Sequence, residues 1–310
     1  MDERDLPTTA EARDRLAERF EEHRGHLRAV AYRMLGSVAE AEDAVQEAWL
    51  RLDRSDAAAV DNLGGWLTTV VGRICLDQLR VRRTRGETLL DGPGEEPVRM
   101  PEPVLGSEDG HDPEQEALIA DALGLALLVV LDQLNPAERL AFVLHDMFGM
   151  SFEEIAPVVD RTPAAARQLA SRARRRVRGG APAPDPGRDR QRRVVDAFLA
   201  AAREGDFEGL LTVLDPQVLL RADYGPDAPA SAARLLRGAE TVARQALMFA
   251  RLAAFARPAF VNGTPALVTI PEDGLPVSVM AFTVSGGRIV EIDVLADPAR
   301  LAALDLTVLD

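Results

Sequence analysis

Residues 164–178, AAARQLASRARRRVR, set hydrogen-bonding and cationic side chains at spacings suited to nucleic acid. On a helix, Ala166, Leu169 or Ala170, Ala173 and Val177 recur at intervals of three and four and face inward. Arg167, Gln168, Ser171, Arg172, Arg174 and Arg175 are left outside. Arg and Gln can make paired hydrogen bonds to base edges, while further Arg side chains serve phosphates. A plainer alternative for the same residues is a solvated, Arg-rich helix end favoured by the helix dipole.

The flanking residues say what positions this helix. Ser151 with Glu154 makes a capping box that opens a short helix. Thr162 can cap the next helix, with Pro163 at its first position, where a missing N–H costs nothing. Two short helices around a tight turn, the second with small inward residues and Arg, Gln and Ser outward, are the parts of a helix-turn-helix.

The rest of the chain sets bounds. At 310 residues with 47% hydrophobic content there is room for two or three packed domains. Aromatics are only 5%, so the cores must be built from Leu, Val and Ala. The basic residues are all Arg, and the net charge is −14, which argues against a general nucleic-acid coat but leaves local Arg patches free to act. The single cysteine, Cys75, excludes an internal disulfide and lies among apolar helical residues, as a small buried side chain does. The four His (His23, His26, His111, His145) and one Cys do not make a structural zinc site, and no phosphate loop is present. Neither a metal nor a cofactor is expected. No secretory signal or bilayer-length apolar run is visible, and the longest run, Leu123–Leu131, reads as a buried helix between Asp121 and Asp132. A cytoplasmic location without a membrane partner is expected.

Local signals divide the chain. Residues 8–86 read as all-helical: Thr8 with Glu11 opens a helix that Gly36 closes, and Ser37 with Glu40 opens a second. A loop at Asp61–Gly65 precedes a third helix from Trp66, with Leu67, Val70, Val71, Ile74 and Leu79 as its stripe. Residues 87–112 are rich in Gly, Pro and Glu and read as an acidic linker. Residues 113–179 form a second helical module, starting at Asp112–Pro113, with another helix start at Asn135, Pro136 and Glu138. Residues 180–188 read as a second linker. Residues 189–310 combine helices near 189–204, 206–214 and 239–255 with short strands and turns at Asn262–Gly263, Asp273–Gly274 and Gly286–Gly287, an α+β domain.

Four segments carry a resemblance: AEDAVQEAWLRL at 41–52, WLTTVVGRICLDQLR at 66–80, LNPAERLAFVLHDMFGMSFEEIA at 134–156 and AAARQLASRARRRVR at 164–178. In order and spacing these resemble bacterial sigma factors of the extracytoplasmic-function type, over roughly residues 10–178. The tail resembles the SnoaL or NTF2-like domain fused to a SigJ-like subgroup, through RMPEPV at 99–104, ADYGPD at 222–227, VNGTPALV at 261–268 and ADPARL at 296–301. The linker motif lacks the subgroup's Trp, and the glycine stretch keeps only Asp223 and Gly225. The fold this implies is multidomain: a region 2 helical bundle, a region 4 helix-turn-helix and an α+β NTF2-like cone.

The resemblance also implies partners, core RNA polymerase and promoter DNA. Asp43, Gln46, Glu47 and Trp49 would bind the polymerase; without the resemblance Trp49 reads as core. For the minus-ten element, Asn62–Gly65 would shape a base pocket, Arg73, Arg80, Arg82 and Arg83 would hold phosphates or base edges, and Asp77 would accept from an exocyclic amine. Trp66 reads as core. For the minus-thirty-five element, Thr162, Arg167, Gln168, Ser171 and Arg172 would contact the duplex, with Arg174, Arg175 and Arg176 serving phosphates. The acidic linker would either mimic nucleic acid or act as a solvated spacer.

In the tail, residues 181–310 contain no His, and Asp223, Asp227, Glu291 and Asp293 read as solvated carboxylates, so catalysis is not expected. The resemblance implies an intramolecular regulator, with Pro101, Glu102, Pro103, Asp223, Gly225, Asp297, Pro298 and Arg300 as interdomain residues and Ala296–Leu301 docking on the helical modules. A ligand for the cone's pocket is left unidentified. Two other functions fit parts of the chain: a one-component regulator with a ligand-sensing tail, and a SnoaL-class enzyme with DNA-binding modules.

Overall fold

The computed structural model describes residues 9–55, 62–89, 99–106, 124–180, 182–228 and 235–309. The N-terminal elements are α1 (Thr9–Leu35), α2 (Val38–Asp53), α3 (Leu63–Leu89), β1 (Leu105–Gly106), α4 (Leu125–Asp132), α5 (Pro136–Phe142, continued as a π turn over Val143–Met147), α6 (Phe152–Ile155) and α7 (Pro163–Gly180). Beyond them lie α8 (Arg188–Glu204), α9 (Phe207–Val213), β2 (Leu214–Asp223), β3 (Leu235–Arg237), α10 (Ala239–Met248), α11 (Ala250–Ala253), β4 (Ala256–Val261), β5 (Thr264–Thr269), β6 (Ser278–Ser285), β7 (Arg288–Leu295) and α12 (Pro298–Leu301). The chain divides into two compact units, Met1–Pro93 with Leu131–Arg176, and Gly94–Val130 with Val177–Asp310.

Local chemistry sets the helix starts. Ser37 accepts from the Glu40 N–H, Asn135 accepts from Ala137 with Pro136 at the first position, and Ser151 and Glu154 form a reciprocal capping box. Thr162 Oγ1 accepts from the Ala165 N–H at 3.3 Å. Gly36 closes α1 at φ 70°. The Thr8–Glu11 and Asp112–Pro113 starts lie outside the described residues. The third helix begins earlier than its sequence suggests: Leu63–Gly65 form its first turn rather than a loop, and Asn62 Oδ1 caps it by accepting from Gly65 N–H at 3.0 Å.

In the first unit α1, α2 and α3 bury one stripe each: Leu27, Val30 and Met34; Ala41, Val45, Ala48 and Leu52; Leu67, Val71, Ile74 and Cys75. Leu79 and Val70 of the expected stripe are also buried, while Trp66 is half-buried. α5 with its π turn, α6 and α7 as far as Arg176 belong to the same unit. α5 and its π turn pack on α3, where Gly72 leaves space: a Cβ there would lie 3.3 Å from Leu140 Cδ1 and 3.6 Å from Leu144 Cδ1. The His26 ring meets Phe148 edge-on, with centroids 5.0 Å apart. Arg139, 1% exposed, donates to the Arg33 carbonyl at 3.1 Å and to Asp132 at 2.9 Å. This internal partnership is what lets a cation be buried.

In the second unit a seven-stranded sheet runs β1-β4-β5-β6-β7-β2-β3. The β4–β5 and β6–β7 hairpins close on Asn262–Gly263 (φ 51°, 76°) and Gly286–Gly287 (φ 61°, 77°), the left-handed pairs that a two-residue turn requires. β2 joins β7 in parallel. Val195, Phe198, Leu199 and Ala202 of α8 pack on Leu267, Phe282 and Ile292 of one sheet face. This is the α+β cone expected for the tail. The predicted helix over 239–255 is broken at Phe249 into α10 and α11.

Two linker expectations change. Within 87–112, residues 99–106 belong to the second unit, and Leu105–Gly106 pair with Phe260–Val261 as an edge strand of its sheet. Within 180–188, Asp185 is fixed: its carboxylate accepts from Gly286 N–H at 2.8 Å and Gly287 N–H at 2.7 Å, which holds its pKa below the usual carboxylate range.

Candidate nucleic-acid interface

In α7, Ala166, Ala170 and Ala173 are buried and Leu169 and Val177 half-buried, while Thr162, Arg167, Gln168, Ser171, Arg172 and Arg175 are exposed. These outward residues are not equivalent. The Arg167 guanidinium lies 5.1 Å from the Phe152 ring centroid, a cation–π contact to α6. Glu138 on α5, 6% exposed, takes Arg176 at 2.8 Å and Arg172 at 3.4 Å, and Arg174 pairs with Asp146 at 2.5 Å. Arg167, Arg172, Arg174 and Arg176 thus brace α7 against its own module. Gln168, Ser171 and Arg175 remain on the open side. Glu138 read as a helix-start residue in the sequence; nothing local revealed it as an anchor for two Arg four residues apart.

Around α3, Arg80 pairs with Asp77 at 3.4 Å on the exposed surface, and Arg83 is exposed. Arg73, also exposed, donates to the Pro157 carbonyl at 3.1 Å, just before the helix-turn-helix turn. Arg82, expected to hold phosphates or base edges, reaches back to the Glu40 carboxylate and donates to the Leu35 carbonyl at 3.2 Å, tying α3 to the junction of α1 and α2. Asn62 is exposed, with its side chain turned into the helix start.

On α2, Asp43 and Gln46 are exposed, Trp49 is half-buried, and Glu47 pairs with Arg51 at 2.9 Å. Gln46 and Trp49 share a groove of about 440 Å³ with Phe20, Glu21, Arg24 and Glu42. Trp49 meets the Phe20 ring at 5.2 Å, so it is part core and part groove wall.

In the second unit Pro101, Glu102, Pro103, Asp223, Gly225, Asp297, Pro298 and Arg300 converge. Asp223 Oδ2 accepts from the Met100 N–H at 2.9 Å and from Arg300 at 2.7 Å, and Arg300 also donates to the Met100 carbonyl at 2.6 Å. Four residues on, the Val104 N–H donates to Asn262 Oδ1 at 3.2 Å, and Val104 O accepts from Asn262 N–H at 2.9 Å. Pro101 and Pro103 are buried and Glu102 is half-buried. Gly225, at φ 80°, is where Asp297 comes close: a Cβ would lie 2.8 Å from its carboxylate carbon. Asp297 in turn caps α12, with Pro298 at its first position. Ala296–Leu301 therefore grips the linker segment, a contact within its own unit. Met100 and Asn262 stand in the motifs RMPEPV and VNGTPALV, but neither is among the interdomain residues expected from the sequence.

The tail's carboxylates also differ from expectation. Asp227 is exposed, but Asp223, Glu291 and Asp293 are buried. Arg221 donates to Glu291 at 2.7 Å and to Asp293 at 2.9 Å. Burial pushes Glu291 up to about 7 and Asp293 upward too, against the pull of Arg221. In the first unit, burial drives the Cys75 thiol up to about 12 and His26 down from its ordinary value.

A braced helix-turn-helix, an α-helical bundle with an aromatic groove and a linker latched to an α+β domain make a DNA-binding architecture, and its class follows from comparison with known proteins. Residues 19–85 match the family described as Sigma-70 region 2, and residues 124–177 match Sigma-70, region 4. The chain is 38% identical to the ECF RNA polymerase sigma factor SigJ of Mycobacterium tuberculosis over 93% of both chains. It is 34% identical to the probable ECF sigma factor SigI of the same species, over 91% of this chain and 93% of that one. The crystal structure of Mycobacterium tuberculosis SigJ superposes with a TM-score of 0.75 at 36% identity, covering 94% of this chain and 100% of that one. The chain belongs to the extracytoplasmic-function RNA polymerase sigma factors. Among the described residues no helix is long and apolar enough to cross a membrane.

Proposed function

We propose that this sigma factor acts in the cytoplasm, binding core RNA polymerase through Asp43, Gln46, Glu47 and Trp49 and reading promoter DNA through its two helical modules, under non-catalytic control by its own tail. The α2 groove supports the first role: a half-buried Trp beside Gln46 offers a rigid aromatic anchor. For the minus-thirty-five element, Gln168, Ser171 and Arg175 read base edges or nearby phosphates, while Arg167 and Arg172 position the helix. For the minus-ten element, Arg73, Asp77, Arg80 and Arg83 contact the displaced strand, and Arg73 must first leave the Pro157 carbonyl. The observation that carries the regulatory reading is the Asp223–Arg300–Met100 latch, which fixes the linker between the DNA-binding modules to the tail's sheet. Gln168→Ala with Arg175→Ala lowers specific transcripts about tenfold or more while leaving core-polymerase affinity within twofold; Trp49→Ala lowers core-polymerase affinity, and transcripts fall in step with it. Equal loss of both activities in the Gln168/Arg175 variant would overturn the assignment.

A further inference from the structure

Between the sheet and α8, α10 and α11 lies a cavity of about 310 Å³, at the small end of ligand-binding sites. Its walls are apolar, with Leu267, Met280, Ile292 and Val294 from the sheet and Phe198 from α8 among them. Among the described residues no charged side chain lines it; the polar groups are Tyr224, Gln245, Thr269 and Ser278, and Ser278 already donates to Thr269 at 3.0 Å. An anion there would lose its water and meet no cation, so the lining selects against charge.

The mouth is unusual for a surface. Phe249, at the break between α10 and α11, is 46% exposed and Val277 36%, and both line the cavity. Beside them in the chain, Met248 is 76% exposed and Leu275 64%. Two of the seven large hydrophobics exposed among the described residues thus line this cavity, and two more lie one and two positions from them in the chain. Apolar side chains gathered at an apolar cavity mark a route for an apolar molecule.

Two lining residues join this cavity to the latch. Tyr224 follows Asp223, and Ala296 precedes Asp297. The Ala296 N–H donates to the Asp223 carbonyl at 2.7 Å, so the two strand ends are hydrogen-bonded at the point where they touch the cavity. The carboxylate of the same Asp223 holds Met100 and Arg300. A molecule seated against Tyr224 and Ala296 therefore presses on the strand ends that carry the linker.

We infer that the cavity is a sensor site for a small, uncharged, mainly hydrocarbon molecule with one or two hydrogen-bonding atoms, and that its occupancy shifts the grip on residues 99–106. The coupling half rests on the proposed regulatory role of the latch; the binding half does not. The lever is short and covalent, one residue on each strand. Coupling requires only that the occupied and empty cavities favour different settings of Tyr224 and Ala296.

The full-length chain is titrated with N-phenyl-1-naphthylamine, an uncharged fluorescent probe, and with 1-anilinonaphthalene-8-sulfonate, the same skeleton carrying a sulfonate. Saturable binding of one uncharged probe per chain is expected, with the sulfonate at least tenfold weaker. Ala246→Trp, which fills the cavity from α10, weakens the uncharged probe at least tenfold. Hydrogen exchange at the Met100 and Val104 amides changes at least threefold when the probe saturates. Absence of saturable binding, or equal affinity for both probes, would overturn the sensor site. Saturable binding with unchanged exchange at residues 99–106 would overturn the coupling alone. Loss of the latch's effect on transcription with both of these results intact would instead overturn the regulatory role and leave the site standing.

Discussion

Replacing Arg300 with Ala removes one of the two side-chain hydrogen bonds that hold the linker at Met100, together with the ion pair that orients the other, Asp223. Arg300 donates to Asp223 at 2.7 Å and to the Met100 carbonyl at 2.6 Å, with its own side chain 25% exposed and that of Asp223 9%. A hydrogen bond to a charged group contributes about 1.5–3 kcal/mol. Asp223 keeps two backbone donors, Met100 and Gly225, so the buried carboxylate is not abandoned. Only the bond to the Met100 carbonyl reaches the linker, and solvent at the Arg300 end trims it, which leaves a loss of roughly 1–2 kcal/mol for docking of the segment. That shifts the opening equilibrium of residues 99–104 by roughly 5- to 30-fold. Hydrogen exchange of the Met100 and Val104 amides reads it directly, because both are bonded only while the segment is docked. Protection there falls by that factor, while the β5–β6 amides around Leu267, inside the sheet, keep theirs. Arg300→Lys recovers part of the protection, since an ammonium reaches one acceptor but not both in the same geometry. Unchanged exchange at Met100 and Val104 in Arg300→Ala would refute the latch as what fixes the linker.

Three further outcomes follow from the same geometry. Glu291 titrates near 7 when folded and near 4.5 when unfolded, so the stability it contributes is complete below about pH 4.5 and is lost as pH rises through 7. The loss is about 3 kcal/mol at most; Glu291→Gln flattens the fall of Tm between pH 5 and 8, and an unaltered slope would place the titration elsewhere. Gly72→Ala fits with a small adjustment of Leu140, whereas Gly72→Leu overpacks the α3–α5 contact and costs about 1–3 kcal/mol. Thermal melts of the two variants check this, and equal Tm values would show that α5 does not press on Gly72. Cys75 is fully buried with its thiol pushed up to about 12, so iodoacetamide leaves the native chain unlabelled and modifies it only on unfolding. Rapid labelling without denaturant would contradict that burial.

What could be read from the sequence was whatever rests on local chemistry. Ser37, Asn135, Ser151 and Thr162 open helices because their side chains satisfy free N–H groups a few residues away, and such a signal needs no knowledge of the fold. Asn262–Gly263 and Gly286–Gly287 announce hairpins for the same reason. The inward and outward faces of α7 followed from period alone. What could not be read depends on partners far along the chain. Residues 99–106 carry two prolines and no alternation, and the residues that dock them, Asp223, Asn262 and Arg300, lie more than 120 positions away. Glu291 and Asp293 look solvated beside a hairpin, but both point to the same sheet face as Arg221, which joins them only through the parallel β2–β7 pairing. Arg82 sits in an Arg cluster that suits DNA, yet Glu40, 42 residues earlier, takes it. Within α7 no periodicity separates Arg172 from Arg175; the buried Glu138 does.

The central claim is that this sigma factor directs core RNA polymerase to promoters and that the latch sets its output. Run-off transcription with purified bacterial core polymerase and a genomic promoter library, comparing the full chain with Arg300→Ala and Asp223→Asn, tests it most directly. The account predicts specific transcripts that share one promoter pattern, with their amount altered at least threefold in both latch variants and the pattern unchanged. Absence of specific transcripts and of a stable complex with core polymerase from every form would contradict the account at its base; identical output from all three would contradict the control by the tail.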